Sequence, residues 1–321
     1  MPKTFKLAAA VLACAVALGA AASEYPQRPI TMVSPFPPGG ATDVITRAVA
    51  KSMGASLGQP VVVVNRPGAG TTIGGAYAAA QPADGYTLLM ATNTTIVGAR
   101  FLYKDLRYDP DRFEPVGIVG TAPMVLLSAK ARGFRSTDDA LAYARQHGQN
   151  TRIASQGPGT LSHLLAECLQ SAAGLKMSHI PYKGTAEAMP ALINGDVDLF
   201  YDTVGTGMTQ AQGGTVDVLH ATGPARMSTY PDVPTVAQAG VKDCQMQAWW
   251  TLVAPAGTPE AVLARLRQAL QETMQHEEVR RSIASAGTEP ADGRVQGYRE
   301  MVSADVEKTG DLIERAGITL Q

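Results

Sequence analysis

Short apolar runs alternate with amphipathic helical stretches along most of the chain. Ile30-Thr31-Met32-Val33 predicts a strand that runs into the loop Pro35-Phe36-Pro37-Pro38-Gly39-Gly40. A helix is predicted from about Thr42, because Val44, Ile45, Ala48, Val49 and Met53 return to one face at helical spacing. Val61-Val62-Val63-Val64 is a continuous β-branched run of the kind buried parallel strands show, followed by a small-residue helix through Ala80. Tyr86-Thr87-Leu88-Leu89-Met90 predicts a third strand, closed by the polar loop Thr92-Asn93-Thr94-Thr95. Arg152-Ile153-Ala154 repeats the theme: a glycine-containing loop follows, then a helix with Leu161, Leu164, Leu165, Cys168, Leu169 and Ala172 on one stripe. A strand around His179-Ile180 leads into Tyr182-Lys183-Gly184-Thr185 and a short helix. Pro190 falls inside that helix and predicts either a late start or a kink. Val197-Asp198-Leu199-Phe200-Tyr201 and Val216-Asp217-Val218-Leu219-His220-Ala221 predict further strands. Thr258-Pro259-Glu260 reads as a helix start with Thr258 as N-cap, and Val262, Leu263, Leu266 and Leu270 face inward after it. Strands alternating with helices in this way predict an α/β fold with parallel layers.

The chain ends and the charge narrow the setting. Lys3 and Lys6 precede an uninterrupted apolar run and Ala20-Ala21-Ala22, the pattern of a secretory signal over residues 1–22. Export to an oxidising compartment is therefore expected. The 321 residues suit two domains, and a hydrophobic content of 45% excludes a disordered chain. Lys+Arg 27 against Asp+Glu 28 leaves no basic footprint for nucleic acid or an anionic membrane surface. Once the leader is removed, Cys168 and Cys244 are left, and a disulfide or two buried thiols both fit. Five scattered histidines give no zinc or haem spacing, so neither a metal nor a cofactor is expected.

Four loops share one chemistry. Residues 36–43, 68–72, 155–162 and 182–185 are rich in Gly, Ser and Thr and stand before helix N-termini. Such loops offer backbone N–H groups at the positive end of a helix dipole, which favours an anionic ligand. The only cations in or beside them are Lys183 and Arg66, the latter just before the second loop, so a carboxylate would be held mainly by amides, hydroxyls and water. Gly68-Ala69-Gly70-Thr71-Thr72-Ile73-Gly74 is one residue too long for a dinucleotide fingerprint, and neither a P-loop nor a nucleophile elbow occurs. Ser155 or Ser162 with His163 is the sole nucleophile–base pairing to consider, and Ser162 and His163 are helix neighbours whose side chains diverge.

Pro35-Phe36-Pro37-Pro38-Gly39-Gly40-Ala41-Thr42-Asp43, Asn65-Arg66-Pro67-Gly68-Ala69-Gly70 and Asp84-Gly85-Tyr86-Thr87-Leu88-Leu89 resemble the Bug receptors, the extracytoplasmic solute-binding subunits of tripartite tricarboxylate transporters. Pro181-Tyr182-Lys183-Gly184-Thr185, Asp232-Val233-Pro234-Thr235-Val236 and Ala254-Pro255-Ala256-Gly257-Thr258-Pro259 extend the resemblance from about Tyr25 to the C-terminus. It implies a class II periplasmic-binding-protein fold, with two α/β domains joined by two crossover strands and a ligand cleft between them. Domain 1 would comprise residues 24–124 and 252–321, and domain 2 residues 125–251, with crossovers near 123–128 and 247–253. Carried over position by position, the first-domain ligand contacts would be Phe36, Pro38, Gly39, Gly40, Thr42 and Asp43, with Gly70 and Thr72. Thr92, Asn93 and Thr94 and the second-domain residues Ser155, Thr160, Tyr182, Gly184, Thr185 and Asp202 would complete the cleft. The implied function is a monomeric receptor that carries a small carboxylic acid to a membrane permease; a periplasmic sensing subunit and, more remotely, a serine hydrolase are the alternatives. Three positions depart from the family pattern. Thr71 stands where glycine is usual, Glu187 where proline is common, and Trp250-Thr251 where an aromatic–glycine pair is usual. Glu187 would add a negative charge near the second-domain loop.

Overall fold

The structure, a computed structural model, describes residues 25–318. The expected leader over residues 1–22, and Cys14 with it, lies outside the described residues. Among the described residues ten strands form one sheet. Its order is β2 (Val61–Asn65), β1 (Ile30–Ser34), β3 (Thr87–Thr92), β9 (Gln247–Ala254), β4 (Glu114–Ala129), β7 (Leu199–Thr203), β5 (Arg152–Ser155) and β6 (Ser178–Pro181). β8 (Val216–Ala221) and β10 (Glu289–Pro290) also pair with β4. The β1–β2, β1–β3, β5–β6 and β5–β7 pairs are parallel, as strand–helix alternation requires.

β4 runs through both halves of this sheet. Up to Pro123 it pairs with β9, and from Met124 onward it pairs with β7 on one edge and β8 on the other. The chain re-enters the first half at Gln247, where β9 begins, so residues 247–251 pair with first-half strands. Helices flank each half. In the helix Leu161–Ala173 the predicted stripe is buried from Leu161 to Leu169, while Ala172, expected on it, is exposed.

Several elements depart from the sequence reading. β2 is an edge strand, and Val62 is half exposed, because only β1 lies beside it. In the helix Ala41–Leu57 the inward face is Ile45, Thr46, Val49, Ala50 and Met53, while Val44 points outward. The N-cap of Glu260–Gln275 is Pro259, since Thr258 gives its hydroxyl hydrogen to the Pro255 carbonyl instead. Pro190 neither delays nor ends its helix, which runs Thr185–Ile193. The bond it forgoes would have reached the carbonyl of Ala186, and both residues are exposed, so water can take that carbonyl. Thr137–His147, Val204–Gln212, Glu277–Ser285 and Tyr298–Ala316 are helices that the apolar stripes above do not announce.

Candidate functional site

A cavity of about 40 Å³ lies between the two halves, at the carboxyl ends of β1, β3, β5, β6 and β7. This is where an α/β sheet gathers its strand-to-helix loops. Of the residues expected in the site, Phe36, Pro38, Gly40, Thr42, Thr92, Asn93, Thr94, Gly184 and Thr185 line it.

The first half contributes the start of the helix Ala41–Leu57 and the turn after β3. Gly40 is the N-cap and supplies no side chain, so the first amides of the helix open toward the cavity. Trp250, reaching in from β9, donates from Nε1 to Thr42 Oγ1 at 2.9 Å and forms the buried wall beneath it. Asn93 is fixed by a bond from Nδ2 to the Gln247 carbonyl at 3.2 Å. Thr94 opens a π-helix, Thr94–Gly98, and its hydroxyl accepts from the Leu161 N–H of the second half at 3.3 Å.

Asp202, at the end of β7, organises the second half. It is fully buried, and three side chains donate to its carboxylate: Gln156 at 2.8 Å and Thr185 at 2.7 Å on Oδ1, and Thr206 on Oδ2. Burial pushes this carboxyl up, against the bonds from Thr206, Thr185, the Thr203 N–H and Gln156. Asp202 therefore lies behind the cavity wall and shapes it through Gln156 and Thr185.

Other expected contacts are held away from the cavity. Asp43 turns outward to Arg47, Asn65 and the Gly39 N–H, and these bonds outweigh its burial and hold the carboxyl below its ordinary value. Gly39 is needed for its φ of +91° and not for close approach, because a Cβ there would meet nothing within 4 Å. Gly70 packs against Pro158 of the second half and Tyr103, and Thr72 donates to the Ala69 carbonyl; neither lines the cavity. Thr71, where the family pattern has glycine, holds φ +76°, a conformation that a β-branched side chain resists. Thr160 caps its helix by accepting from the His163 N–H. Tyr182 packs on the second-half core. Arg66 stacks on Tyr77 and Lys183 is exposed, so neither cation reaches the cavity. Glu187 is also outside it, accepting from the Lys183 N–H.

The hydrolase alternative fails on geometry. Ser162 donates to the Tyr201 carbonyl at 2.6 Å, and His163 Nδ1 accepts from the Gly159 N–H at 3.1 Å. Ser155 pairs with His179 at 2.6 Å, a partner that the sequence spacing does not suggest, but Ser155 has no exposed surface. The pair braces the loop, since Ser155 Oγ also accepts from the Gly157 N–H. Cavity residues absent from the expectation include Gln156, Leu161, Thr203 and Trp250. Thr203 carried the same signal as the other sites, a polar residue between strand and helix. Trp250 was marked only through the resemblance, in the Trp250-Thr251 departure; its place beside Thr42 had no sign in the local pattern, because it arrives from a strand some 200 residues away in sequence.

One half-buried and one buried histidine make stability depend on pH. Burial lowers His179 to about 4 and His220 to about 3. His220 has no exposed surface and sits between Thr137 at 2.7 Å and Tyr201 at 2.9 Å. Below the free-histidine value of about 6.5, the unfolded chain takes up protons that the fold refuses, so stability falls with pH. The limiting slope is about 1.4 kcal/mol per pH unit for each histidine. Asp202, whose carboxyl is raised, offsets part of the loss by taking a proton earlier in the fold. Urea unfolding is expected to show stability declining from pH 6.5 toward 4, with a shallower decline in His220→Gln. A flat profile over that range would contradict the assignment.

The sequence profile described as "Tripartite tricarboxylate transporter family receptor" matches residues 45–318. Protein BugT of Bordetella pertussis is 31% identical over 95% of this chain and 94% of its own length. The structure of the periplasmic binding protein BugD superimposes with a TM-score of 0.87 at 34% identity, covering 92% of this chain and 100% of BugD. An R. palustris protein, Rpa4515, solved with adipate, gives a TM-score of 0.88 at 29% identity, covering 93% and 100%. The α/β architecture built around β4 is thus that of the periplasmic binding proteins, and the relatives are receptors, not enzymes. With most of its length matched and its cavity placed where two sheet halves meet, the chain belongs to the tripartite tricarboxylate transporter receptor family and is a periplasmic solute-binding protein.

Proposed function

We propose that this receptor holds a small carboxylic acid in the cavity between the two halves and delivers it to the membrane permease of a tripartite tricarboxylate transporter. The observation that carries this reading is the meeting of the helix start at Ala41–Leu57 with the Thr42 and Thr94 hydroxyls in one cavity. Helix amides and hydroxyls suit a carboxylate without a neighbouring arginine or lysine. Adipate in Rpa4515 is an acid of the same chemistry. On this reading residues 1–22 are the export signal and the mature receptor is a monomer. Residues 24–124 with 247–321 form one lobe and 125–246 the other, the second boundary lying earlier than the expected 252, and they close on the ligand by bending where β4 and the segment leading into β9 cross between them.

The test is calorimetric titration of the chain from Ser23 onward with small carboxylates. One acid is expected to bind one-to-one, and Thr42→Val, which keeps the side-chain shape but removes its hydrogen, is expected to weaken it about tenfold. At a hundred times its dissociation constant the acid stabilises the fold by about 2.7 kcal/mol, visible as a thermal shift. No binding, with native mass spectrometry finding the purified chain empty, would overturn the reading.

A further inference from the structure

The hydrogens of the cavity wall can be counted, and they divide between its two sides. On the first half, Thr42 Oγ1 accepts from Trp250 and Thr94 Oγ1 accepts from the Leu161 N–H, so each hydroxyl hydrogen is left for the cavity. On the second half every side-chain hydrogen is committed. Gln156 Nε2 directs its two hydrogens to Thr185 Oγ1 at 2.9 Å and Asp202 Oδ1 at 2.8 Å. Thr185 and Thr206 give theirs to Asp202, so Thr203, 3.0 Å from Thr206, is the donor of that pair. What Gln156, Thr185 and Thr203 retain for a ligand is lone pairs. Asp202 dictates this arrangement, because a carboxylate only accepts and the Gln156 amide must therefore face it nitrogen-first, leaving Oε1 toward the cavity. The second-half donors that remain are the backbone N–H groups opening the helix Thr185–Ile193.

We infer that the bound acid carries a hydrogen-bond donor, a hydroxyl or an ammonium, at the end away from its carboxylate, and that Asp202 is the positioning residue that selects it. This rests on the carboxylate reading above. A second carboxylate at that end would meet the Gln156 carbonyl oxygen with the buried Asp202 charge directly behind it, and a methyl would leave the acceptors unpaired. A hydroxyl answers both sets of groups, accepting from the helix amides and donating to Gln156.

Matched sets of three-, four- and five-carbon acids ending in methyl, hydroxyl, ammonium or carboxylate separate the possibilities by calorimetry. The hydroxyl or ammonium member of the best-fitting set is expected to bind about tenfold or more tighter than the methyl and carboxylate members. Which of the two leads identifies the donor. If acids bind but the carboxylate or methyl member is as tight, this inference is overturned and the carboxylate reading stands. If no acid binds, that reading falls and takes the inference with it. Asp202→Asn supplies hydrogens of its own and frees the Gln156 amide to turn, so the affinity ratio of hydroxyl to carboxylate member is expected to drop about tenfold. A merely structural role for Asp202 would weaken all four members alike. Gln156→Leu removes the acceptor while Asp202 stays in place on its bonds from Thr185 and Thr206, and is expected to lower the same ratio; an unchanged ratio there overturns the inference even where Asp202→Asn does not fold.

Discussion

Alanine at Gly98 is expected to weaken ligand binding by about one to two orders of magnitude while leaving the free protein at least as stable. Gly98 closes the π-helix Thr94–Gly98 with φ −57°, a conformation that any residue adopts, so its backbone does not require glycine. Its neighbour does. A Cβ at Gly98 would lie 2.8 Å from the Gly159 carbonyl oxygen, which belongs to the second half. The same loop is pressed against the first half by Tyr103, whose hydroxyl donates to the Pro158 carbonyl at 3.0 Å. Alanine therefore acts as a wedge against the closed arrangement only, and each 1.4 kcal/mol taken from closure is a factor of ten in apparent affinity. In the open arrangement alanine is the better helix former by about 0.5–1 kcal/mol. The measurements are the dissociation constant by calorimetry and the melting temperature without ligand. Unchanged affinity would show that the 157–159 loop does not move against the first half. Gly70 also faces Pro158, but at φ +53° alanine would strain both states and the two effects would not separate.

The sequence made the parallel part of the fold legible because each parallel strand there is followed by a loop and a helix, so periodicity changes at every boundary. It did so for β1, β3, β5 and β6. β4 and β9 were harder, since sixteen residues of β4 pass through two environments and carry Gly117, Gly120 and Pro123 where a uniform strand would carry branched residues. The candidate site divides in the same way. Residues 36–42, 92–94 and 184–185 follow strands directly, and all of these loops reach the cavity. The loop after β2 has the same glycine-rich composition yet does not line it: Gly70 packs against Pro158 and Tyr103 instead, a contact that composition does not reveal. Asp202 was visible as an acid after a strand, but its burial behind Gln156 and Thr185 is a tertiary fact. Glu187 shows the converse: a charge that looks close to the cleft in sequence is bound to its own loop and faces solvent.

Removing the bridge between Cys168 and Cys244 is expected to lower the unfolding free energy by about 3 kcal/mol, a large share of what a domain of ordinary stability possesses. The sequence left pairing and two buried thiols equally open; the structure joins them, with Cα atoms 5.7 Å apart and both residues buried. The bridge ties the helix Leu161–Ala173 to the turn Lys242–Cys244 across a separation of 76 residues. Chain entropy alone assigns a loop of that length about 4–5 kcal/mol, and measured losses run somewhat lower because the unbridged chain retains structure. The tied segment contains β6, β7 and β8, most of the second half's side of the cavity, so its unfolded ensemble is what the bridge restricts. Guanidinium unfolding of C168A/C244A should therefore show a lower midpoint, and reductant should shift the parent chain but not the variant. Ligand affinity at a temperature where both are folded should agree within about twofold, since neither sulfur lines the cavity. Two thiols titrating in the denatured, unreduced parent chain would overturn the pairing itself. A bridged parent whose midpoint is insensitive to reductant would instead mean that the rest of the second half already confines the unfolded chain. The oxidised pair also fits the periplasmic location of the family, because a disulfide persists in an oxidising compartment and not in the cytosol.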